Sequence, residues 1–476
     1  MLHSGDDRPK VVLYNPKAVF FTMPLALLAI GSHLDPARFR FVLVDARLES
    51  DPVGKLLEEL RGAICLGITV LTGDPIRDAL RASRAAKRKY SSLPVIWGGW
   101  HPSLFAAECL EERSIDAAVA GQGEETFADL VDRISAGRPI DDVAGATVRL
   151  ADGTIRKNPP RAFADIDSFR SHDYGAIAVD RYYRLKGKRQ LDYISSQGCH
   201  FRCTFCADPY VYKRQWSGLP AERVGEELER VYRTNPFDDC HFQDETYFTY
   251  ADRVAGISEQ ILRRKLPITW AATMRADQGA RQPEDLFALA KRSGLRKVIV
   301  GLESGDPETL RWLKKDTTLD QVFLAAEMCV RHEVRAEFPT IVGFPGESKK
   351  SISETMRVAK RLRSMHPEFR VPIFYYKPYP GTPITDRVSA EGFRLPATLE
   401  EWADFDYIGT SGPWVDEPKR RMIERFKYYL ESAWTRAGRK GRSVQAIARW
   451  RLANDLYGFP IEKWVSELVH PPLRLS

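Results

Sequence analysis

Over the first 130 or so residues, short apolar runs alternate with longer stretches in which apolar residues recur at helical spacing. Runs at Lys10–Tyr14, Phe39–Val44, Ala63–Thr69, Pro94–Trp97 and Ile115–Val119 read as strands, and Pro24–Leu34, Val53–Leu60, Pro75–Lys89 and Leu104–Glu112 read as helices. This alternation predicts a parallel, doubly wound α/β sheet. Such sheets bind ligands beyond the carboxyl ends of their strands. Those ends are Asn15 to Lys17, Thr69 to Asp74, Gly98 to Pro102 and Gly121 to Glu125. Their glycines let the backbone approach a ligand closely, although each turn taken alone reads better as a tight strand-to-helix connection.

From about 140 the pattern weakens. Gly145 to Arg156 reads as a hairpin turning at Asp152-Gly153, and the aromatic, polar stretch up to Gln190 reads as a linker. Strand-like runs resume at Leu191–Ser195, Cys240–Gln243, Ile268–Thr273, Lys297–Gly301, Arg335–Gly343 and Val371–Tyr376. Helical stretches fall between them at Pro220–Arg233, Asp252–Arg264, Pro283–Ser293, Leu319–His332 and Ser348–Ser364. Six strand–helix units fit a partial (β/α)6 barrel with its function at the strand ends. Beyond 386 the sequence turns helical, aromatic and basic. The expected organisation is therefore 1–138 as the doubly wound domain, 139–190 as hairpin and linker, 191–385 as the barrel and 386–476 as a helical region.

Composition narrows the class without naming a function. With 476 residues, 43% hydrophobic and 28% charged, the chain is an ordinary globular protein and not a disordered one. The longest apolar runs, such as Ile64 to Leu71, are far too short to span a bilayer. The N-terminus lacks a signal-peptide pattern, so a cytoplasmic location is expected. Seven cysteines, three of them clustered, suit a reducing compartment where thiolates bind metal.

The clustered three form the run Cys199-His-Phe-Arg-Cys203-Thr-Phe-Cys206, at the end of the first barrel strand. Three thiolates at this spacing can hold three irons of a four-iron cluster and leave one iron open to a small molecule. A structural zinc site would need a second pair of ligands, and none follows; a disulfide reading fails on the odd number. The spacing favours the cluster, with zinc or redox thiols as the alternatives.

CxxxCxxC with an aromatic residue, Phe205, before the last cysteine resembles the signature of the radical S-adenosylmethionine (SAM) superfamily. In that family SAM chelates the open iron of a [4Fe-4S] cluster, which Cys199, Cys203 and Cys206 would hold here. Further strand ends resemble the superfamily's SAM contacts. Gln243, Asp244 and Glu245 fall where the family receives the amino group, Glu303 and Ser304 where it meets ribose and carboxylate, and Gly343 and Gly346 where backbone passes the adenine. Arg275, past the third strand, reads as a partner for a carboxylate or as a surface arginine.

The turns upstream of the cysteines resemble the cobalamin-binding domain of one branch of the superfamily. The resemblance implies contacts from Thr69, Thr72, Gly73, Gly98, Gly99, His101, Gly121, Gly123 and Glu124. The Asp-x-His-x-x-Gly motif of the classical cobalamin modules is absent: neither His33 nor His101 has an aspartate two residues before it. Cobalamin is therefore expected without a histidine below the cobalt, with residues 69–76 facing that side.

The resemblance implies a radical SAM enzyme that methylates an unactivated carbon of a small, apolar substrate through a 5'-deoxyadenosyl radical and methylcobalamin. A non-methylating oxidative cyclase or rearrangement enzyme with the same cofactors is one alternative, and a non-catalytic metal-binding protein is another. An external electron donor is expected, and nucleic acid is not. Between 419 and 451, basic residues such as Arg420, Arg421 and Arg425 interleave with aromatics, and only Glu424 and Glu431 oppose them. Such a face suits a lipid-like or polycyclic substrate and peripheral membrane contact, or a solvated helical cap.

Overall fold

A computed structural model describes residues 6–405, 412–434 and 441–464. The chain divides into two compact units. The first comprises Met1–Thr273, Arg292–Gly294 and Pro378–Tyr407; the second comprises Met274–Lys291, Leu295–Lys377 and Ile408–Ser476.

The first unit opens with a sheet of β1 (Lys10–Asn15), β2 (Arg40–Asp45), β3 (Ala63–Thr69), β4 (Val95–Gly98), β5 (Ala117–Val119), β6 (Ala146–Arg149) and β7 (Ile155–Lys157). Their order is β2-β1-β3-β4-β5-β6-β7. The first five are parallel, and the β6–β7 hairpin extends the sheet as an antiparallel edge. Side chains alternate across the pleat. Val11 and Leu13 therefore enter the core packed with Leu27, Ile96 and Phe127, while Val12 and Tyr14 enter the opposite one with Ile68, Trp97 and Leu80. Burial on both faces explains why β1 reads as an unbroken apolar run. Chain order reverses between β1 and β3, which places a crevice at the ends of these two strands.

The helix Pro75–Lys89 matches its expected span, with proline at its first position, where the missing N–H costs nothing. The stretch expected as one helix over 104–112 is instead two short helices, Trp100–Leu104 and Ala106–Cys109, because Phe105 takes an extended φ of −131° between them. A helix not anticipated from the sequence, Glu124–Ser135, follows β5. Residues 399–403 return to this unit as a short helix against Pro75–Lys89. There Trp402 packs on His101 and Phe105, with ring centroids 5.7 and 5.1 Å away.

After the linker the first unit continues with β8 (Gln190–Tyr193), β9 (Ser196–Gly198), β10 (Trp216–Gly218), β11 (Asp239–Phe242) and most of β12 (Thr269–Arg275), whose last two residues belong to the second unit. β11 pairs in parallel with β8 and with β12. The second unit carries β13 (Leu295–Gly301), β14 (Arg335–Glu337), β15 (Thr340–Val342) and β16 (Ile373–Tyr375), with parallel pairs β13–β14 and β15–β16. The run expected as a single strand over 335–343 is thus broken. Pro339 has no N–H for a ladder, and its carbonyl accepts instead from the backbone N–H groups of Leu302 and Glu303, both at 3.1 Å. The helices Glu417–Ser432 and Gly441–Ala453 close the described part of this unit. Arg436, Arg439 and Lys440 of the basic segment lie outside the described residues.

Trp402→Ala should destabilise the first unit by roughly 3–5 kcal/mol, the usual cost of emptying a large buried aromatic site. Glu400→Ala, which removes only an exposed ion pair with Arg84, should cost less than about 1 kcal/mol. Denaturant titration of the two variants checks the ordering.

Candidate active site

The cysteine loop is clamped at its base. β9 and β10 form a short antiparallel ladder, pairing Gly198 with Trp216 and Ser196 with Gly218, so residues 199–215 form a closed loop. Gly198 has φ +87°, and a Cβ there would lie 2.3 Å from the Gln215 carbonyl oxygen. Only glycine fits immediately before Cys199. The approach to the ladder is held by Asp244, whose buried carboxylate accepts from the Ser195 N–H at 2.7 Å and from the Ser195 and Ser196 hydroxyls at 2.6 Å each.

Cys203 is buried, and Cys199 and Cys206 are half-buried. Desolvation pushes the Cys206 thiol well above its ordinary range, and the charges of Asp208, Cys203 and Cys199 add to the effect. Three thiolates this close repel one another unless a cation lies among them. Three thiols in one loop are the donor type that an iron–sulfur cluster takes. Cys65, Cys109, Cys240 and Cys329 are buried elsewhere in the cores.

The residues expected to hold SAM fall in both units. In the first, Glu245 and Gln243 line a cavity. Glu245 accepts from the Gly198 N–H at 3.2 Å. Desolvation, reinforced by the Asp208 charge, raises its carboxyl well above the usual carboxylate range. Gln243 donates to Asp192 at 3.0 Å, while Asp244 points away to the serines. Phe205 is half-buried in the cysteine loop.

In the second unit Glu303, at φ +60°, pairs with Lys315 at 2.7 Å, and both groups are buried. Ser304 shares a hydrogen bond with Thr355 at 3.2 Å and accepts from the Asp306 N–H. Gly343 and Gly346 have φ of +79° and +76° and flank a turn in which Glu347 accepts from the Gly343 and Phe344 N–H groups. Arg275 is neither a surface residue nor an unengaged cation: it is buried, paired with Asp277 at 2.9 Å and bonded to the Lys315 carbonyl.

The cavity has a volume of about 410 Å³ and lies wholly within the first unit. The sheet contributes Thr69, Leu71, Gly98, Gly99, Gly121, Gly123 and Glu124; the cysteine unit contributes Ser196, Gln197, Tyr212, Gln243 and Glu245. Gly99 has φ +96°, and a Cβ there would sit 2.9 Å from the Thr69 hydroxyl, so this turn stays open only as glycine. Glu124 is buried with Oε2 lacking a partner, and burial raises its carboxyl. Glycine-edged turns and an unsatisfied buried carboxyl oxygen fit a large cofactor with hydrogen-bonding side chains.

Thr72, Gly73 and His101 do not line this cavity. The Thr72 hydroxyl and His101 Nδ1 are 3.1 Å apart. The ring is fully buried against Phe105 and Trp402, and desolvation holds its pKa down at about 4. His101 is a neutral core histidine whose Nε2 is shielded and without a partner. At the end of β3 the cavity is faced by Leu71 instead.

One wall went unrecognised in the sequence. Ile166, Phe169, Ser171 and His172 of the linker line the cavity, as do Phe20 and Met23 from the loop after β1. These segments lack regular periodicity, and their aromatic content was the one available signal.

Comparison with known proteins places these features. The model for the B12 binding domain matches residues 12–131, and the model for the radical SAM superfamily matches residues 193–359. An uncharacterized methyltransferase of Pyrococcus horikoshii is 29% identical over 372 residues, covering 77% of this chain and 78% of the relative. An anaerobic magnesium-protoporphyrin IX monomethyl ester cyclase of Rubrivivax gelatinosus is 26% identical, covering 67% of this chain and 58% of the relative, so the chain spans under two thirds of that protein. The solved structure of the cobalamin-dependent SAM radical enzyme OxsB, with aqua-cobalamin and SAM bound, shares the fold. Its TM-score is 0.74 at 17% identity, covering 97% of this chain and 75% of that one.

A doubly wound B12-type domain preceding a strand-end cysteine loop defines a cofactor-bearing α/β radical enzyme. The chain carries a match to the B12 binding domain followed by a match to the radical SAM superfamily. The two matches imply cobalamin for the first domain, and SAM with an iron–sulfur cluster for the second.

Anaerobically reconstituted protein should carry about four irons, and Cys203→Ala should lose them together with 5'-deoxyadenosine formation. A full iron complement in the variant would refute the ligand assignment. In the cob(II)alamin form, electron paramagnetic resonance should show no nitrogen superhyperfine splitting, and His101→Gln should leave the spectrum unchanged. Splitting that vanishes in His101→Gln would make His101 a cobalt ligand.

Proposed function

We propose that this enzyme methylates an unactivated carbon of a small, apolar substrate. The observation that carries the reading is the shared cavity, which turns of the B12-binding sheet and Glu245 of the cysteine unit both line. When bound, the cluster and SAM supply a carbon radical, and cobalamin supplies the methyl group. The chain's part is to orient and to exclude water. Glu245 is placed to receive the SAM ammonium, with Gly198 fixing its carboxylate. Leu71, Ile194, Val211 and Phe169 give the cavity apolar walls, which protect a radical from side reactions.

An apolar substrate is supported by the lip of the cavity. Val19, Phe20 and Phe21 are 56, 50 and 49% exposed in the loop that contributes Phe20 to the lining. Three consecutive solvated apolar side chains favour a lipid-like or polycyclic molecule over a charged metabolite. Among the described residues no helix is long and apolar enough to cross a membrane. We place the reaction in the cytoplasm, served by an external electron donor, with peripheral membrane contact through the C-terminal region.

Anaerobic incubation with methyl-labelled SAM and candidate apolar acceptors, followed by mass spectrometry, tests the reaction. Label in the product supports methyl transfer; a product that only loses hydrogen would identify an oxidative cyclase instead. Glu245→Gln should keep its iron and weaken SAM binding by at least about tenfold, the loss of one charge-assisted hydrogen bond to the ammonium. Unchanged SAM affinity by calorimetry would remove Glu245 from the site.

A further inference from the structure

A second concavity, about 400 Å³, lies in the second unit and shares no residue with the first. Arg420, Arg421, Arg425 and Lys463 line it together with Tyr375 and Glu424. Glu424 is engaged by the Tyr375 hydroxyl at 2.8 Å and by Lys427 at 2.9 Å. Arg420 and Arg421 both lean on Glu417, at 2.7 and 3.4 Å, in pairs that are about half exposed. Exposed pairs of this kind are weak, so both guanidiniums can turn to a stronger anion. The lining carries four cations against one carboxylate already committed to other partners.

Beside this basic groove the chain presents apolar side chains to solvent. Phe459, Ile461 and Trp464 are 78, 59 and 46% exposed. Their display is held in place. The Arg451 guanidinium donates to the carbonyls of Leu456, Gly458 and Phe459 at 3.2, 2.8 and 2.9 Å, and it also pairs with Glu462 at 3.0 Å. Glu462 in turn accepts from the Tyr429 hydroxyl at 3.0 Å. The turn is thus stitched to the helix Glu417–Ser432, and Phe459 adopts a φ of +43°, a conformation costly for a bulky residue. Paying backbone strain and three hydrogen bonds to keep a phenyl ring in water makes sense if the ring is buried in something else.

We propose that this face docks the enzyme on an anionic lipid surface, with headgroup phosphates in the groove and Phe459, Ile461 and Trp464 entering the interfacial layer. Arginine suits phosphate through its paired donors, and tryptophan suits the interface. Basic charge combined with shallow apolar insertion gives reversible surface binding. The inference rests on the reading of the C-terminal region as a membrane-contact region, and not on the substrate.

Sedimentation of the full-length, cofactor-loaded chain with vesicles tests it. Vesicles of phosphatidylcholine with about a quarter phosphatidylglycerol should bind at low salt and release in high salt, and pure phosphatidylcholine should bind far less. Arg421→Glu with Lys463→Glu should weaken binding at least about tenfold, and Phe459→Ser with Ile461→Ser should weaken it at low salt too. Both variants should still form 5'-deoxyadenosine from SAM, which shows that they are folded and separates this test from that of the methylation reading. Wild-type affinity in the charge-reversed protein, or no binding of wild type at low salt, overturns the proposal. So does a dimer in vesicle-free solution that Phe459→Ser dissociates, since a second copy would then cover the face.

Discussion

The position of the cysteine loop depends on one buried carboxylate. Asp244 takes three hydrogen bonds from two consecutive serines, and they set the path of the chain from β8 into the β9–β10 ladder. A buried carboxylate is tolerable only when its oxygens are satisfied in this way. Its own backbone is held in turn, because the Asp244 carbonyl accepts from the Thr273 hydroxyl at 2.7 Å. Glu245, the next residue along, then has little freedom to face anywhere but the cavity. Adjacent acidic residues therefore divide the labour: one builds the loop and the other lines the cavity.

Much of this was legible in the sequence, for physical reasons. Parallel strands buried on both faces leave continuous apolar runs, so β1 and β3 stood out, and the helix Pro75–Lys89 carried its proline start and its periodicity openly. The cysteine triplet could be picked out without tertiary information, since all three thiols lie within eight residues of one loop. What escaped was set by long-range contact. His101 sits in a glycine-rich turn that looks like a binding loop, yet Trp402, some 300 residues away, packs against it and makes it core. The Phe338-Pro339 break in the strand run was visible as a proline, but its consequence depended on where the carbonyl found donors. The linker wall escaped because irregular chain carries no period to read.

The cavity shows how the two modules become one site. The sheet's glycine turns and the strand-end residues Gln243 and Glu245 line the same space. The linker that joins them in sequence also forms a wall between them, with Phe169 and His172 facing the same interior. Changes in this segment can reshape the chamber without touching the cysteine triplet or the glycine turns.

The return of residues 399–403 to the first unit has a consequence for how the protein is made. The ribosome releases the sheet and its turn at His101 and Phe105 early, but the tryptophan that covers them emerges some 300 residues later, roughly 15–60 s at ordinary elongation rates. Throughout that interval the nascent first unit carries an open apolar seam beside an unfinished cofactor chamber. A chain cut short before Leu399 would never close that seam.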